Sequence, residues 1–296
     1  MQALMSTAEL AALIDAGTPR LRLFDVTTHL RTGADGSWSV ESARADHAAA
    51  HIPGAAFLDL QQQLSDHGSP LRFTRLPDAA LAAALGAAGI GDGDDVVLYS
   101  STNAMWATRV WWMLRALGHP ARVLDGGLPK WRAEGRPLAS GPQAYAPARL
   151  SVRTQPGLWA DRDEVLRSIG DGAVCTINAL TAPLHSGERK AGYARAGHIS
   201  GSVNLPYPEL TAADGALRPP SELRERVDAL GNLTHRRVIC YCGGGIAATL
   251  TALVLTELGH DDVAVYDGSL SEWAADPSLP MSTLPSADQA APASSD

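Results

Sequence analysis

Cysteine is scarce in this chain, with three in 296 residues at irregular spacing. That makes no disulfide framework, and a lone Cys-x-Cys lacks the second ligand pair of a zinc site. No stretch approaches the ~18 apolar residues a membrane span needs. The start, Met1-Gln-Ala-Leu-Met-Ser6, has no basic region followed by an apolar one, so no secretory signal is read there. Positive charge is short as well. Lys and Arg number 24 against 32 Asp and Glu, a formal net charge of −8, and no basic stripe is interleaved with aromatics. That balance argues against a nucleic-acid partner. The expectation is a soluble, cytoplasmic chain in a reducing compartment, where a free thiol survives. Its 45% hydrophobic content can bury ample core, and its length suggests about two domains.

The chain is a repeat of itself. The first half runs through Leu21–Asp25, His51-Ile-Pro-Gly-Ala55, Val96–Tyr99, an apolar helix to Gly118-His119, and Val123-Leu-Asp-Gly-Gly-Leu-Pro-Lys-Trp131. The second half runs through Ala173–Ile177, His198-Ile-Ser-Gly-Ser202, Val238–Tyr241, a helix to Gly259-His260, and Val263-Ala-Val-Tyr-Asp-Gly-Ser-Leu-Ser-Glu-Trp273. Tyr99, Asp125 and Trp131 each recur 142 positions later, as Tyr241, Asp267 and Trp273. A repeat of that length is a duplicated domain. Strands alternating with helical runs predict an α/β fold, each domain a mainly parallel sheet flanked by helices. Ser6-Thr-Ala-Glu9 reads as a capping box, and Gly118 and Gly259 as helix C-caps. The expected division is a first domain over 1–140, a linker over 141–151, a second domain over 152–285 and a disordered tail over 286–296.

The chemistry concentrates at Val238-Ile-Cys-Tyr-Cys242-Gly-Gly-Gly-Ile-Ala-Ala-Thr249, where an apolar strand ends in cysteine, passes three glycines and opens a helix. Such a loop can turn its N–H groups inward, and the helix N-terminus behind it adds positive potential. A thiol in that cup is expected to be nucleophilic as thiolate. Cys240 lies inside the apolar run and Cys175 in another, so both are assigned to packing and Cys242 to chemistry. The offset sets Ser100 opposite Cys242. With no base nearby to activate it, Ser100 predicts a silent first domain whose loops close over the second domain's cleft.

Taken together, His51-Ile-Pro-Gly-Ala55, Arg109-Val-Trp-Trp-Met-Leu-Arg-Ala-Leu-Gly-His119, Leu124-Asp-Gly-Gly-Leu-Pro-Lys-Trp131, Gly197-His-Ile-Ser-Gly-Ser-Val-Asn-Leu-Pro206, the Cys242 loop and Tyr266-Asp-Gly-Ser-Leu-Ser-Glu-Trp273 resemble the tandem rhodanese-like sulfurtransferases. The resemblance spans nearly the whole chain. It implies two rhodanese folds and a catalytic Cys242 that carries sulfur as a persulfide. The donor would be a small anion, thiosulfate or 3-mercaptopyruvate, and the acceptor cyanide or a thiol, small or on a protein. The backbone of Gly243, Gly244, Gly245, Ile246, Ala247, Ala248 and Thr249 would surround the sulfur pair, with no metal or organic cofactor.

The chain departs from that pattern in two places. Gly243 and Gly244 stand where thiosulfate-preferring members carry cations, and Gly244 where mercaptopyruvate-preferring members place a serine. Asn178-Ala-Leu180 and Leu184-His185 stand where the family places its substrate arginines. Arg189, Lys190 and Arg195 follow closely; Arg189 is the preferred replacement, with Arg195 and His51 as further substrate-binding candidates. The same residues read blandly as a solvated loop and, for His51 and His198, as anchors of a shared turn. His119 and His260 close helices, and Trp106, Trp111 and Trp112 are expected in packing. Two other readings remain: a non-catalytic sulfur-binding or sensing module, and a Cys-loop phosphatase or arsenate reductase. The last would need an arginine where Ala248 stands.

Overall fold

The computed structural model describes residues 3–33, 38–234 and 236–284; the expected tail over 286–296 lies outside them. Two five-stranded, wholly parallel sheets carry the architecture. The first is ordered Leu4–Met5, Ala121–Leu124, Asp95–Tyr99, Leu21–Asp25, Ala56–Phe57. The second is ordered Trp159–Ala160, Val263–Tyr266, Arg237–Tyr241, Val174–Asn178, Val203–Asn204. The orders are equivalent strand for strand. Register repeats too: Val96 pairs Ala121 and Asp25 pairs Tyr99, as Val238 pairs Val263 and Asn178 pairs Tyr241.

The central strands are apolar without alternation because both faces are covered. Val96 to Tyr99 and Val238 to Tyr241 are all buried. In each half the tyrosine closing that strand accepts a hydrogen bond from the His-Ile turn, Ile52 N–H to Tyr99 Oη at 3.3 Å and Ile199 N–H to Tyr241 Oη at 3.0 Å. The capping box at Ser6 and Glu9 forms, and Gly118 and Gly259 take φ of 73° and 90°. Cys175 and Cys240 lie in the core, where burial raises both thiols and keeps them protonated.

The halves meet along two helices, Met105–Ala116 and Ala247–Glu257. Thr108 and Thr249 share a hydrogen bond of 2.8 Å there, and Trp112 Nε1 donates to Leu158 O at 3.2 Å. Trp106, Trp111 and Trp112 are all buried. One element has no counterpart. In the first half 74 positions separate Asp25 from Tyr99, whereas 63 separate Asn178 from Tyr241. The longer segment contains an antiparallel hairpin, Thr28–Thr32 with Trp38–Ser42. Among the described residues no helix is long and apolar enough to cross a membrane, and no cluster could hold a metal ion.

Candidate active site

Cys242 leaves the carboxyl end of the Arg237–Tyr241 strand, where parallel sheets bind ligands, and is 2% exposed. The loop is held from behind by Ser269. Its Oγ accepts from Cys242 N–H and Gly245 N–H, both at 3.1 Å, and donates to Tyr266 O at 2.7 Å. Ser271 donates from Oγ to Gly243 O at 2.6 Å. These bonds correct one expectation about the cup. The N–H of Gly245 is used by Ser269 and that of Thr249 by Ile246 O, so neither is free for sulfur. Among the described residues, the N–H groups of Gly243, Gly244, Ile246, Ala247 and Ala248 have no acceptor. Five donors at a helix mouth are a preorganised site for negative charge.

The first half reaches under this loop with Arg109, a fully buried guanidinium. It donates to Gly245 O at 3.1 Å, to Phe73 O at 2.8 Å and to Asp267 Oδ1 at 2.5 Å, and packs over the Trp159 ring. Asp267 also accepts Arg75 N–H at 3.0 Å. A side chain at Gly245 (φ 72°) would run into Asp267 O, so the clamp and the glycine require each other.

Above Cys242 opens a cleft of about 450 Å³ between the halves. Trp38, Phe73 and Trp106 wall it from the first half, Tyr193, Tyr207 and Ile246 from the second. Trp38 comes from the extra hairpin. Two arginines line the cleft, Arg189 from the second half and Arg72 from the first, the latter donating to Trp38 O at 2.7 Å. Burial, and then the charge of Cys242, raises the phenols of Tyr193 and Tyr207. Both therefore stay protonated hydrogen-bond donors. Among the described residues, the three non-glycine positions with positive φ gather here: Phe73 (61°) and Ala191 (47°) on the cleft, Ser269 (49°) behind the loop. Strain collected at one site is characteristic of a functional centre.

Two candidates are placed elsewhere. Arg195 spends its guanidinium on the carbonyls of Trp273, Ala274, Asp276 and Leu279, pinning the segment after the last helix. His51 is buried away from the cleft lining; its Nδ1 meets His47 O at 2.8 Å and its ring stacks on His47 at 4.2 Å. His198 repeats this with His185 O at 2.7 Å and a 3.9 Å stack. Both histidines anchor turns. Ala248 is fully buried, and no basic residue lies between Cys242 and Thr249, so the loop offers no cation to close around a phosphate-like dianion. Sequence reasoning missed Arg72, Tyr193, Tyr207 and Ser269. Only Ser269 had a signal: the 142 offset places it opposite Gly127, whose φ is 53°.

A family model described as the rhodanese-like domain matches residues 6–134 and 182–276. The chain belongs to the rhodanese family. Among its relatives, thiosulfate/3-mercaptopyruvate sulfurtransferase 1 of Arabidopsis thaliana is 34% identical, over 85% of this chain and 74% of its own length. Thiosulfate sulfurtransferase of Bos taurus is 32% identical, over 92% of both chains. Among solved structures, SseA from Escherichia coli, described among 3-mercaptopyruvate sulfotransferases, superposes with a TM-score of 0.80 at 27% identity, over 91% of this chain and 99% of that one. Two rhodanese domains in tandem account for the paired sheets and for the 142-residue repeat.

Proposed function

We propose that this rhodanese is a sulfurtransferase that carries sulfur on Cys242. The observation that supports it best is a buried thiol on the cleft lining, at the start of a loop that leaves five N–H groups unbonded at a helix mouth. The thiolate attacks the transferable sulfur of a donor, the thiol sulfur of 3-mercaptopyruvate or the outer sulfur of thiosulfate. With 3-mercaptopyruvate the C–S bond breaks, its electron pair leaves on carbon as an enolate that takes up a proton, and Cys242 is left as a persulfide. With thiosulfate, sulfite leaves instead. Cyanide or a thiol then takes the outer sulfur and restores the thiolate. The N–H groups hold the charge on sulfur through both steps.

Of the two donors we favour 3-mercaptopyruvate. The residues after Cys242 are neutral, the cleft walls are largely apolar, and Arg189 and Arg72 suit a carboxylate. Three free cysteines agree with a reducing, cytoplasmic setting. The test is steady-state sulfur transfer to cyanide with both donors, for wild type and Cys242→Ser. Cys242-dependent turnover faster with 3-mercaptopyruvate is expected. No turnover by folded wild type, or full activity in Cys242→Ser, would overturn the reading.

A further inference from the structure

The Tyr193 hydroxyl is the most conspicuous unspent group in the cleft. Tyr193 is 8% exposed and its Oη has no hydrogen-bond partner among the described residues. A buried hydroxyl left unpaired is destabilising, so a native fold that keeps one calls for a physical reason. The hydroxyl lies against the residue that follows the nucleophile: a Cβ built on Gly243 would overlap it. Gly243 therefore has no side chain because Tyr193 fills the space. The Tyr193 ring is fixed edge-on by Trp38 of the hairpin, with centroids 5.7 Å apart at 67°, so the hydroxyl cannot swing away without disturbing that packing. Tyr207 shares the cleft but is only half-buried, and its hydroxyl is not among the orphaned atoms.

Tyr193 Oη makes no hydrogen bond to Cys242 Sγ in this structure; we propose that it donates one to the sulfur anion that forms at Cys242, the thiolate before transfer and the outer persulfide sulfur after it. The proposal rests on the sulfurtransferase reading for its second half only. Tyr193 forms and breaks no covalent bond and keeps its proton throughout; it is a sixth donor, from a side chain, added to the five N–H groups. Burial and the charge of Cys242 both raise this phenol, which is the condition a donor facing an anion needs. Arg72, Arg189 and Tyr207 are the other charged or titratable groups on the cleft. Tyr193 also explains why a loop with no polar side chain in its first three positions after the cysteine can still stabilise sulfur charge. Gly244 has room for one, since a Cβ there meets only Arg72 O at 3.7 Å.

The test compares full-length wild type with Tyr193→Phe and, as an independent disruption, Gly243→Ala, which displaces the hydroxyl by overlap. The pH dependence of Cys242 alkylation by iodoacetamide is read by peptide mass, and single-turnover persulfide formation from 3-mercaptopyruvate by rapid quench. Both variants should move the Cys242 titration upward by about one unit, the scale of one hydrogen bond to a charged group. Both should slow persulfide formation about 10- to 100-fold, with kcat falling more than KM rises. Thermal midpoints check that each variant folds, and Gly244→Ser in the Tyr193→Phe background should recover part of the rate. An alkylation profile of folded Tyr193→Phe that superimposes on wild type would overturn the proposal, even if Cys242-dependent turnover stands. A shifted profile without turnover by wild type would uphold the hydrogen bond and overturn the sulfur-transfer reading instead.

Discussion

The two halves share strand order, register and a reciprocal handshake. Asp125 Oδ1 accepts Leu217 N–H at 2.7 Å from the second half, and Asp267 Oδ2 accepts Arg75 N–H at 3.0 Å from the first. Set 142 positions apart, three pairs then diverge: Ser100 against Cys242, Arg109 against Thr251, and Gly127 against Ser269. The hairpin over Thr28–Thr32 and Trp38–Ser42 is a fourth difference. Each divergence serves the same cleft. The first half carries Ser100 where the second has Cys242, and supplies a guanidinium to the other's loop, a tryptophan wall and Arg72.

The comparison breaks most sharply at the nucleophile. Cys242→Ser is expected to abolish sulfur transfer, and Ser100→Cys added to it is expected to restore none. Ser100 lines a cavity of about 10 Å³, too small for a donor. The check is cyanide-dependent turnover of the single and double variants. Measurable rescue would mean that the first half retains a working cup.

Next in size is the clamp. Arg109→Met leaves Asp267 partly buried without its guanidinium partner and should cost about 3–5 kcal/mol by urea unfolding, with turnover reduced because the Gly245 carbonyl loses its donor. Thr251, its counterpart, is fully buried with an unpartnered hydroxyl. Thr251→Val should therefore fall within about 1 kcal/mol of wild type, or stabilise, since it removes an orphan at equal volume. Equal losses at the two positions would show that the clamp has no special role.

These residues also show what a sequence reveals and where it stops. The strands, helices and duplication were legible because period and landmarks are local, and Cys242 was legible because strand, glycines and helix are contiguous. Arg195 was misassigned because its four carbonyl partners, Trp273, Ala274, Asp276 and Leu279, converge only after folding. Tyr193 lies 49 positions before Cys242 and Arg72 lies 170 before it; no period or spacing links either to the loop. His51 was legible as a turn anchor through its twin His198, and the cleft role weighed beside it was not supported by any partner.

The twin histidine stacks give a smaller, pH-dependent contrast. His47 Nδ1 has Asp25 Oδ2 at 3.3 Å, whereas His185 pairs with no carboxylate among the described residues; Asn178 stands at the strand position of Asp25. Burial, and then His198, depresses His185 to about 4. Its folded value lies below the unfolded one near 6.5, so the unfolded chain binds the extra proton between these values. Stability is then fully present above about pH 6.5 and falls as pH drops toward 4, by on the order of 1–3 kcal/mol. His185→Gln should flatten that part of the stability–pH curve measured by thermal or urea unfolding. An unchanged slope would assign the acid sensitivity to other groups.

The finest contrast is between Gly127 and Ser269, which share a left-handed backbone at 53° and 49°. Glycine adopts it without strain; serine bears a cost of about 1 kcal/mol and is retained for its hydroxyl, which satisfies Cys242 N–H and Gly245 N–H. Ser269→Ala keeps the strain and strands both N–H groups, so it should lose about 2–3 kcal/mol. Ser269→Gly strands the same groups but relieves the strain, and should be the more stable of the two by about 1 kcal/mol. Turnover should fall in both, because both free the loop. The usual order, in which alanine is milder than glycine, is thus reversed at this position. Paired urea melts decide it: alanine the more stable would mean that the serine is not held against its backbone, and that the two halves diverged here for a reason other than the cup.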